Sequence, residues 1–351
     1  MIRVLVVDDS AFMRKLISDL LSSSPELIVV GTARNGLEAI EKIKDKQPDV
    51  VTMDIEMPGM DGLSALRLIM EQCPTPVVML SSLTKDGAET TLKALEYGAV
   101  DFVAKTGGAI SNITGVKEEL IHKVRAAAKA NLKAAIKLAV SRSILTLSQP
   151  VVHTAKPSGD GEKVVAIGTS TGGPRAIQEI VTKLPAQFPA GILIVQHMPP
   201  GFTKSLADRL NSISPLAIKE AANGDLVRPG QVLIAPGDYH MRVERLGSRR
   251  VQIKLSQDPL INGHRPAVDP MFLSVAEVFK KNAIGVILTG MGSDGTVGLK
   301  AIKERGGYTI AEDPSTAVVY GMPRSAKESG MVDKVVPLPL VASTIISNVT
   351  K

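Results

Sequence analysis

The sequence predicts two α/β units in tandem, each a mostly parallel sheet covered by helices. Three observations lead there. Short apolar runs alternate with stretches of helical spacing in both halves, the pattern of repeated strand–helix units. Aromatic residues make up only 3% of the chain and Trp is absent. Cores must then come from Val, Ile, Leu, Ala and Met, which suits buried parallel strands. A stretch broken by Pro150, Pro157 and Gly159, with little periodicity, separates the halves as a linker would. At 351 residues, each half has enough chain to bury a core of its own.

In the first half, Val4–Val7, Ile28–Thr32, Val50–Met53, Val77–Leu80 and Asp101–Ala104 read as short buried strands. Between them apolar residues recur at helical spacing, as at Leu37, Ile40 and Ile43. From about Val116 to Val140 an Ala- and Lys-rich pattern reads as the last helix of this domain, continuing past it. In the second half, Val164–Gly168, Ile192–Gln196, Val232–Ala235, Ala283–Thr289 and Thr309–Ala311 read as strands. Helical patterns cover Arg175–Leu184, Thr203–Ile213, Val297–Arg305 and Val318–Ser329. Met241–Leu255 alternates like an antiparallel hairpin turning at Leu246-Gly247-Ser248. The expected domains are 1–125 and 163–351, joined by a helical extension and linker over 126–162.

Composition narrows the function. Apolar residues at 44% and charged residues at 22% belong to an ordinary globular chain. The single Cys73 excludes an internal disulfide and fits a reducing cytosol. Asp8 and Asp9 end the first apolar run where a signal peptide would continue. No stretch has the length of a membrane span, so a cytoplasmic protein without membrane insertion is expected. Net charge is +6, with seven Lys and Arg against two Glu between residues 117 and 142. That run reads as a solvated helical face. It has no aromatic residues for stacking on bases, which argues against a nucleic-acid partner.

Asp8 and Asp9 follow the first predicted strand and Asp54 the third. Ligands of open parallel sheets bind beyond the carboxyl ends of strands, near the reversal of strand order. Three carboxylates gathered there need a cation, and Mg²⁺ suits hard oxygen ligands beside a phosphate. Ser81 and Lys105 end the fourth and fifth strands, a hydroxyl and an ammonium for phosphoryl oxygens. Taken singly, each acid is a helix cap or turn residue; five suitable residues at successive strand ends are a stronger signal. The segment Asp54-Ile-Glu-Met-Pro-Gly-Met-Asp-Gly62 resembles the signature of response-regulator receivers, over residues 1 to about 125. The resemblance implies a flavodoxin-like fold, with Asp54 as phosphoacceptor and Asp8 and Asp9 as Mg²⁺ ligands. It also implies Ser81 and Phe102 as a switch pair drawn inward on phosphorylation, and Lys105 at the phosphoryl group. Receivers usually carry Pro after this Lys; here Thr106 follows, which leaves the geometry of that loop open.

The second half opens with Gly168-Thr-Ser-Thr-Gly172 between a strand and a helix, matching Gly-x-Ser-x-Gly. Small flanking residues let such a serine stand exposed on a tight turn. The alternative, a phosphate-cradling loop, lacks both nucleotide fingerprints: there is no Gly-x-Gly-x-x-Gly, and Pro174-Arg175 stands where Lys-Ser/Thr would be needed. Of five His, His122 lies on the basic helix and His153 in the linker. His197 follows a strand, as Ser170 does, while His240 and His264 fall in loops, with His264 a second candidate base. Asp294 follows the strand ending at Thr289 and is either an orienting acid or a helix N-cap.

Together, Ile167-Gly-Thr-Ser-Thr-Gly-Gly173, Val195-Gln-His-Met198 and Leu288-Thr-Gly-Met-Gly-Ser-Asp-Gly295 resemble the catalytic domain of chemotaxis methylesterases, the CheB family. The resemblance implies a doubly wound domain using Ser170 as nucleophile, His197 as base and Asp294 as orienting acid, with no cofactor for the esterase. It implies hydrolysis of glutamyl methyl esters on chemoreceptors, and deamidation of their glutamines, with a chemotaxis histidine kinase as phosphodonor. Motif position makes the backbone N–H groups near Thr171 and Met291 candidate oxyanion donors. A receiver coupled to a DNA-binding output would need a compact helix-turn-helix, not nearly 190 residues of alternating strands and helices.

Overall fold

A computed structural model describes residues 1–105, 113–134, 163–247 and 250–350. The chain divides into two compact units, Met1–Thr146 and Leu147–Lys351. In the first, β1 (Ile2–Val7), β2 (Leu27–Ala33), β3 (Val50–Asp54), β4 (Val77–Ser82) and β5 (Asp101–Lys105) form one parallel sheet in the order β2-β1-β3-β4-β5. Helices α1 (Ala11–Ser22), α2 (Gly36–Lys46), α3 (Gly62–Gln72), α4 (Lys85–Tyr97) and α5 (Ile113–Ala128) connect and cover it. The inner strands are apolar runs whose central residues are wholly buried, as Val4, Leu5, Val6 and Val7 are, whereas the edge strand β2, expected to be buried, leaves Ile28 exposed and its next residues half-buried. Local chemistry starts the helices. Asn35 Oδ1 accepts from Glu38 N, Asp61 Oδ1 from Ser64 N and Thr84 Oγ1 from Gly87 N, each filling an orphan N–H of a first turn.

The basic helix is shorter than its sequence pattern suggests. Rather than running on toward Val140, α5 stops at Ala128. Lys129 N and Ala130 N close it with tighter bonds to Ala126 O and Ala127 O, and Asn131 Oδ1 then accepts from Ala134 N in a separate helical turn. The rest of that pattern, His153 and the linker from 135 to 162 lie outside the described residues.

In the second unit, β6 (Val164–Thr169), β7 (Gly191–Gln196), β8 (Ala217–Glu220), β9 (Gln231–Ile234), β12 (Ala283–Ile287), β13 (Tyr308–Glu312) and β14 (Lys334–Val336) make a seven-stranded parallel sheet. The order is β14-β13-β12-β6-β7-β9-β8, so it reverses between β6 and β12. The helices are α6 (Gly173–Val181), α7 (Phe202–Ile213), α8 (Val268–Phe279), α9 (Thr296–Glu304), α10 (Met322–Glu328) and α11 (Leu338–Val349). The expected hairpin is present as β10 (His240–Leu246) and β11 (Arg250–Ser256), antiparallel; residues 248 and 249 at its turn lie outside the described set. Met241 and Ile253 from the hairpin, Phe272 and Val275 from α8, and Leu193 from β7 share one core cluster. Two strands and two helices escape the sequence reading: β8, β14, α8 and α11. Among the described residues no helix is long and apolar enough to cross a membrane.

Candidate functional site

Each unit gathers its reactive residues where its strand order reverses, at the carboxyl ends of the strands. In the first unit the reversal lies between β1 and β3. Asp8 there is wholly buried, Asp54 is nearly so, and Asp9 is exposed. One ligand oxygen from each lies within 4.8 Å of the others. Lys105 Nζ reaches Asp8 Oδ2 at 2.9 Å and Asp54 Oδ1 at 2.8 Å. Burial pushes the Asp54 carboxyl up, Lys105 opposes that shift, and the Asp8 charge adds to it. Burial also disfavours the Lys105 ammonium, but its bonds to the two carboxylates outweigh this and hold it above its ordinary value. Three hard carboxylates gathered at one point, two of them on the Lys105 ammonium, are a donor set that fits a divalent cation such as Mg²⁺. Gly62 closes the loop beneath: a Cβ there would stand 2.0 Å from Asp54 O, so only glycine permits this approach.

The two expected switch residues are placed differently from one another. Ser81 Oγ is turned into α4, shared between Ser82 O and Gly87 O at 3.2 Å and accepting from Thr91 Oγ1 at 2.6 Å. Phe102 is already inside, 1% exposed, with the Lys123 ammonium 4.8 Å from its ring centre. Both residues are thus buried, Ser81 by its bonds to α4 and Phe102 by packing. The loop after Lys105, from Thr106 to residue 112, lies outside the described residues.

In the second unit the sheet reverses between β6 and β12. Ser170 follows β6, His197 follows its neighbour β7, and Asp294 lies in the loop between β12 and α9. The register Thr169↔Gln196 brings Ser170 and His197 off adjacent strands side by side, and His197 N donates to Thr169 O at 3.2 Å. His197 Nε2 donates to Asp294 Oδ2 at 2.7 Å. That bond puts the proton of the neutral ring on Nε2 and leaves Nδ1 bare, buried and without a hydrogen-bond partner. Nδ1 is then the nitrogen free to take a proton. Catalytic bonds often close only once substrate is bound.

Asp294 does not cap its own helix. Its Oδ2 and Oδ1 take the first N–H groups of α8, from Val268 at 2.6 Å and Asp269 at 3.1 Å. Asp269, on α8, returns the arrangement: its Oδ1 accepts from Gly298 N in α9 at 2.7 Å. Each acid thus serves the other's helix. Burial would raise the Asp294 carboxyl, but the His197 bond and the two N–H donors hold it below its ordinary value. Asp269 is pushed up to about 6, chiefly by burial, with the Asp294 charge adding to it.

The remaining histidines separate by their bonds. His240 is in strand β10 rather than a loop and is wholly buried; its Nδ1 accepts from Ala267 N and its Nε2 faces Pro259 O. His122 is half-buried on α5. His264 stands edge-on against His197, ring centres 4.0 Å apart, on a loop anchored by Arg265 to Asp238. The Asp294 carboxylate is thus committed to His197, with His264 packed beside it.

The serine turn is held by backbone bonds. Ser170 N donates to Thr289 O at 3.0 Å, and Ser170 O accepts from Gly173 N at 2.8 Å and Gln196 Nε2 at 3.0 Å. A Cβ on Gly290 would meet Ser170 Cβ at 2.9 Å, so the Gly290–Met291 segment presses directly against the serine. Sequence reading missed Asp269, Gln196 and Glu312. Glu312 carried a usable signal, an acid at a strand end.

Residues 165–345 match the family model described as CheB methylesterase, and residues 4–114 match the response regulator receiver domain. A protein-glutamate methylesterase/protein-glutamine glutaminase of Symbiobacterium thermophilum is 53% identical over 352 residues, 98% of this chain and 96% of that protein. One of Pyrococcus abyssi is 51% identical over 346 residues, 98% of this chain and 93% of its own length. The crystal structure of the Thermotoga maritima CheB methylesterase catalytic domain covers 53% of this chain and 97% of its own, at TM-score 0.52 and 50% identity.

Proposed function

Because the chain belongs to the CheB methylesterase family and carries a receiver domain, we infer that it is a phosphorylation-regulated protein-glutamate methylesterase and protein-glutamine glutaminase acting on chemoreceptors. The observation that carries the chemistry is the 2.7 Å bond from His197 Nε2 to Asp294, which leaves Nδ1 bare on a residue whose backbone adjoins the Ser170 turn. In this reading Ser170 Oγ attacks the γ-carbonyl of a glutamyl methyl ester, and its proton passes to His197 Nδ1. Asp294 steadies the imidazolium through Nε2–H. Backbone N–H groups near Thr171 and Met291 receive the oxyanion. The tetrahedral intermediate expels methoxide, which takes the proton from Nδ1 and leaves as methanol. Water, activated by the same nitrogen, then releases glutamate and restores Ser170. A glutamine side chain follows the same path and releases ammonia.

In the receiver, Asp54 accepts a phosphoryl group from a chemotaxis histidine kinase, and Lys105 steadies its oxygens. When bound by Asp8, Asp9 and Asp54, Mg²⁺ supplies charge neutralisation for that transfer. The reading is of a cytoplasmic enzyme reaching the cytoplasmic helices of its receptors. A peptide bearing a glutamyl methyl ester tests the nucleophile. Quenching in acid during turnover should leave the substrate peptide, less methanol by mass, joined through its glutamyl γ-carbonyl to the enzyme peptide containing Ser170. Methanol release with that peptide unmodified under every quench would contradict a serine acyl-enzyme.

A further inference from the structure

Behind the serine turn lies a carboxyl that no motif marks. Glu312 ends β13 and is wholly buried. Its Oε2 accepts from Thr289 N at 2.8 Å and its Oε1 from Thr316 Oγ1 at 3.0 Å. Several charged groups on the elements packed against β13 are engaged elsewhere. Lys303 pairs with Asp333, Lys300 with Glu304, and Arg324 stacks on Tyr320. Lys327 acts on Asp313. The charge that bears on Glu312 is that of Asp313, a like charge, which adds to burial in raising the carboxyl to about 7. An acid buried this way is costly where a Leu or Met would pack, unless its hydrogen bonds matter.

Thr289, the residue it holds, is the hub of the serine turn. Its carbonyl accepts from Ser170 N and from Thr169 Oγ1, both at 3.0 Å. Its hydroxyl donates to Thr171 O at 2.8 Å and accepts from Val319 N at 2.9 Å. Residues before, at and after the serine all hang on Thr289, and the N–H of Thr289 hangs on Glu312. We propose that Glu312 is a positioning residue for ester hydrolysis, fixing through Thr289 the turn that aims Ser170 at the carbonyl. The inference rests on Ser170 being the nucleophile. It predicts a loss in the chemical step rather than in binding, because attack geometry tolerates little displacement.

Glu312→Met keeps the length of the side chain and removes both acceptors. On the purified full-length chain it should lower kcat about 10- to 100-fold with KM within about twofold, the size expected of a misplaced reacting group. Sulfonylation of Ser170 by a sulfonyl fluoride should slow in parallel. Glu312→Gln should recover activity to within about threefold. Its amide oxygen accepts from Thr289 N, and its amide N–H donates to Thr316 Oγ1, which turns to Asp313 O, 3.3 Å away. Wild-type kcat in the Met variant with only a lower Tm would reduce Glu312 to a structural part. A folded Gln variant as slow as Met would also overturn the proposal. Should the Met variant not fold, Glu312→Asp withdraws the acceptor by one methylene. The same kcat loss is then expected, and wild-type kcat would be fatal. Ser170→Ala runs beside them: full activity in it would refute the nucleophile itself, whatever Glu312 does.

Discussion

Ser170→Ala should lower kcat for ester hydrolysis by on the order of 10⁵-fold, with folding and substrate binding retained, and His197→Ala should do nearly the same. The two losses should not multiply in the double variant. Without the hydroxyl there is no nucleophile, and without Nδ1 there is nowhere for its proton to go. Asp294→Asn should cost less, on the order of 10⁴-fold, because the acid holds a tautomer and steadies a charge without itself taking the proton. The geometry explains that cost. An amide cannot accept from His197 Nε2–H, Val268 N and Asp269 N with the strength of the carboxylate that all three now share. Steady-state kinetics on a glutamyl methyl ester peptide measure all of these. An inactive His264→Ala beside an active His197→Ala would reassign the base to the ring packed edge-on against it.

Asp54→Asn should abolish acyl-phosphate formation with a small-molecule phosphodonor and Mg²⁺, leaving unstimulated esterase activity in place. Asp54 lies at the end of β3, with the Asp8 carboxylate and the Lys105 ammonium beside it and a loop closed by Gly62 beneath. The amide keeps the shape and removes the only oxygen nucleophile at that position. Lys105, which now bridges Asp54 and Asp8, would retain the Asp8 bond. Labelling with the phosphodonor, read by mass or by intact-protein electrophoresis, decides it. Full labelling of the variant would move the acceptor to another acid.

Much of this is legible in the sequence. Buried parallel strands are near-continuous apolar runs, so β1 to β5, β6, β7, β12 and β13 stand out, and the reactive residues follow at their ends. The missed elements lack that signal. The edge strand β8 buries only Ile218 of four residues well, and β14 has three residues. The helices α8 and α11 are apolar around much of their girth, which blurs a helical period, and Pro266 and Pro270 make the start of α8 read as loop. Asp294 read equally well as an N-cap, because sequence spacing shows it beside α9 and not the N-terminus of α8 across from it. The exchange of caps between Asp269 and Asp294, and the hold of Glu312 on Thr289, join residues 23 to 29 positions apart. Only the folded sheet brings them together.

The most direct test of a receiver-controlled serine esterase is the rate of methanol release from methylated chemoreceptor by the full-length chain, with and without a phosphodonor and Mg²⁺. Release that is measurable without the donor and about tenfold or more faster with it is expected, a shift in the population balance of roughly 1.4 kcal/mol. The acceleration should vanish in Asp54→Asn, and all release in Ser170→Ala. No methanol under either condition, or equal rates in both, would contradict it.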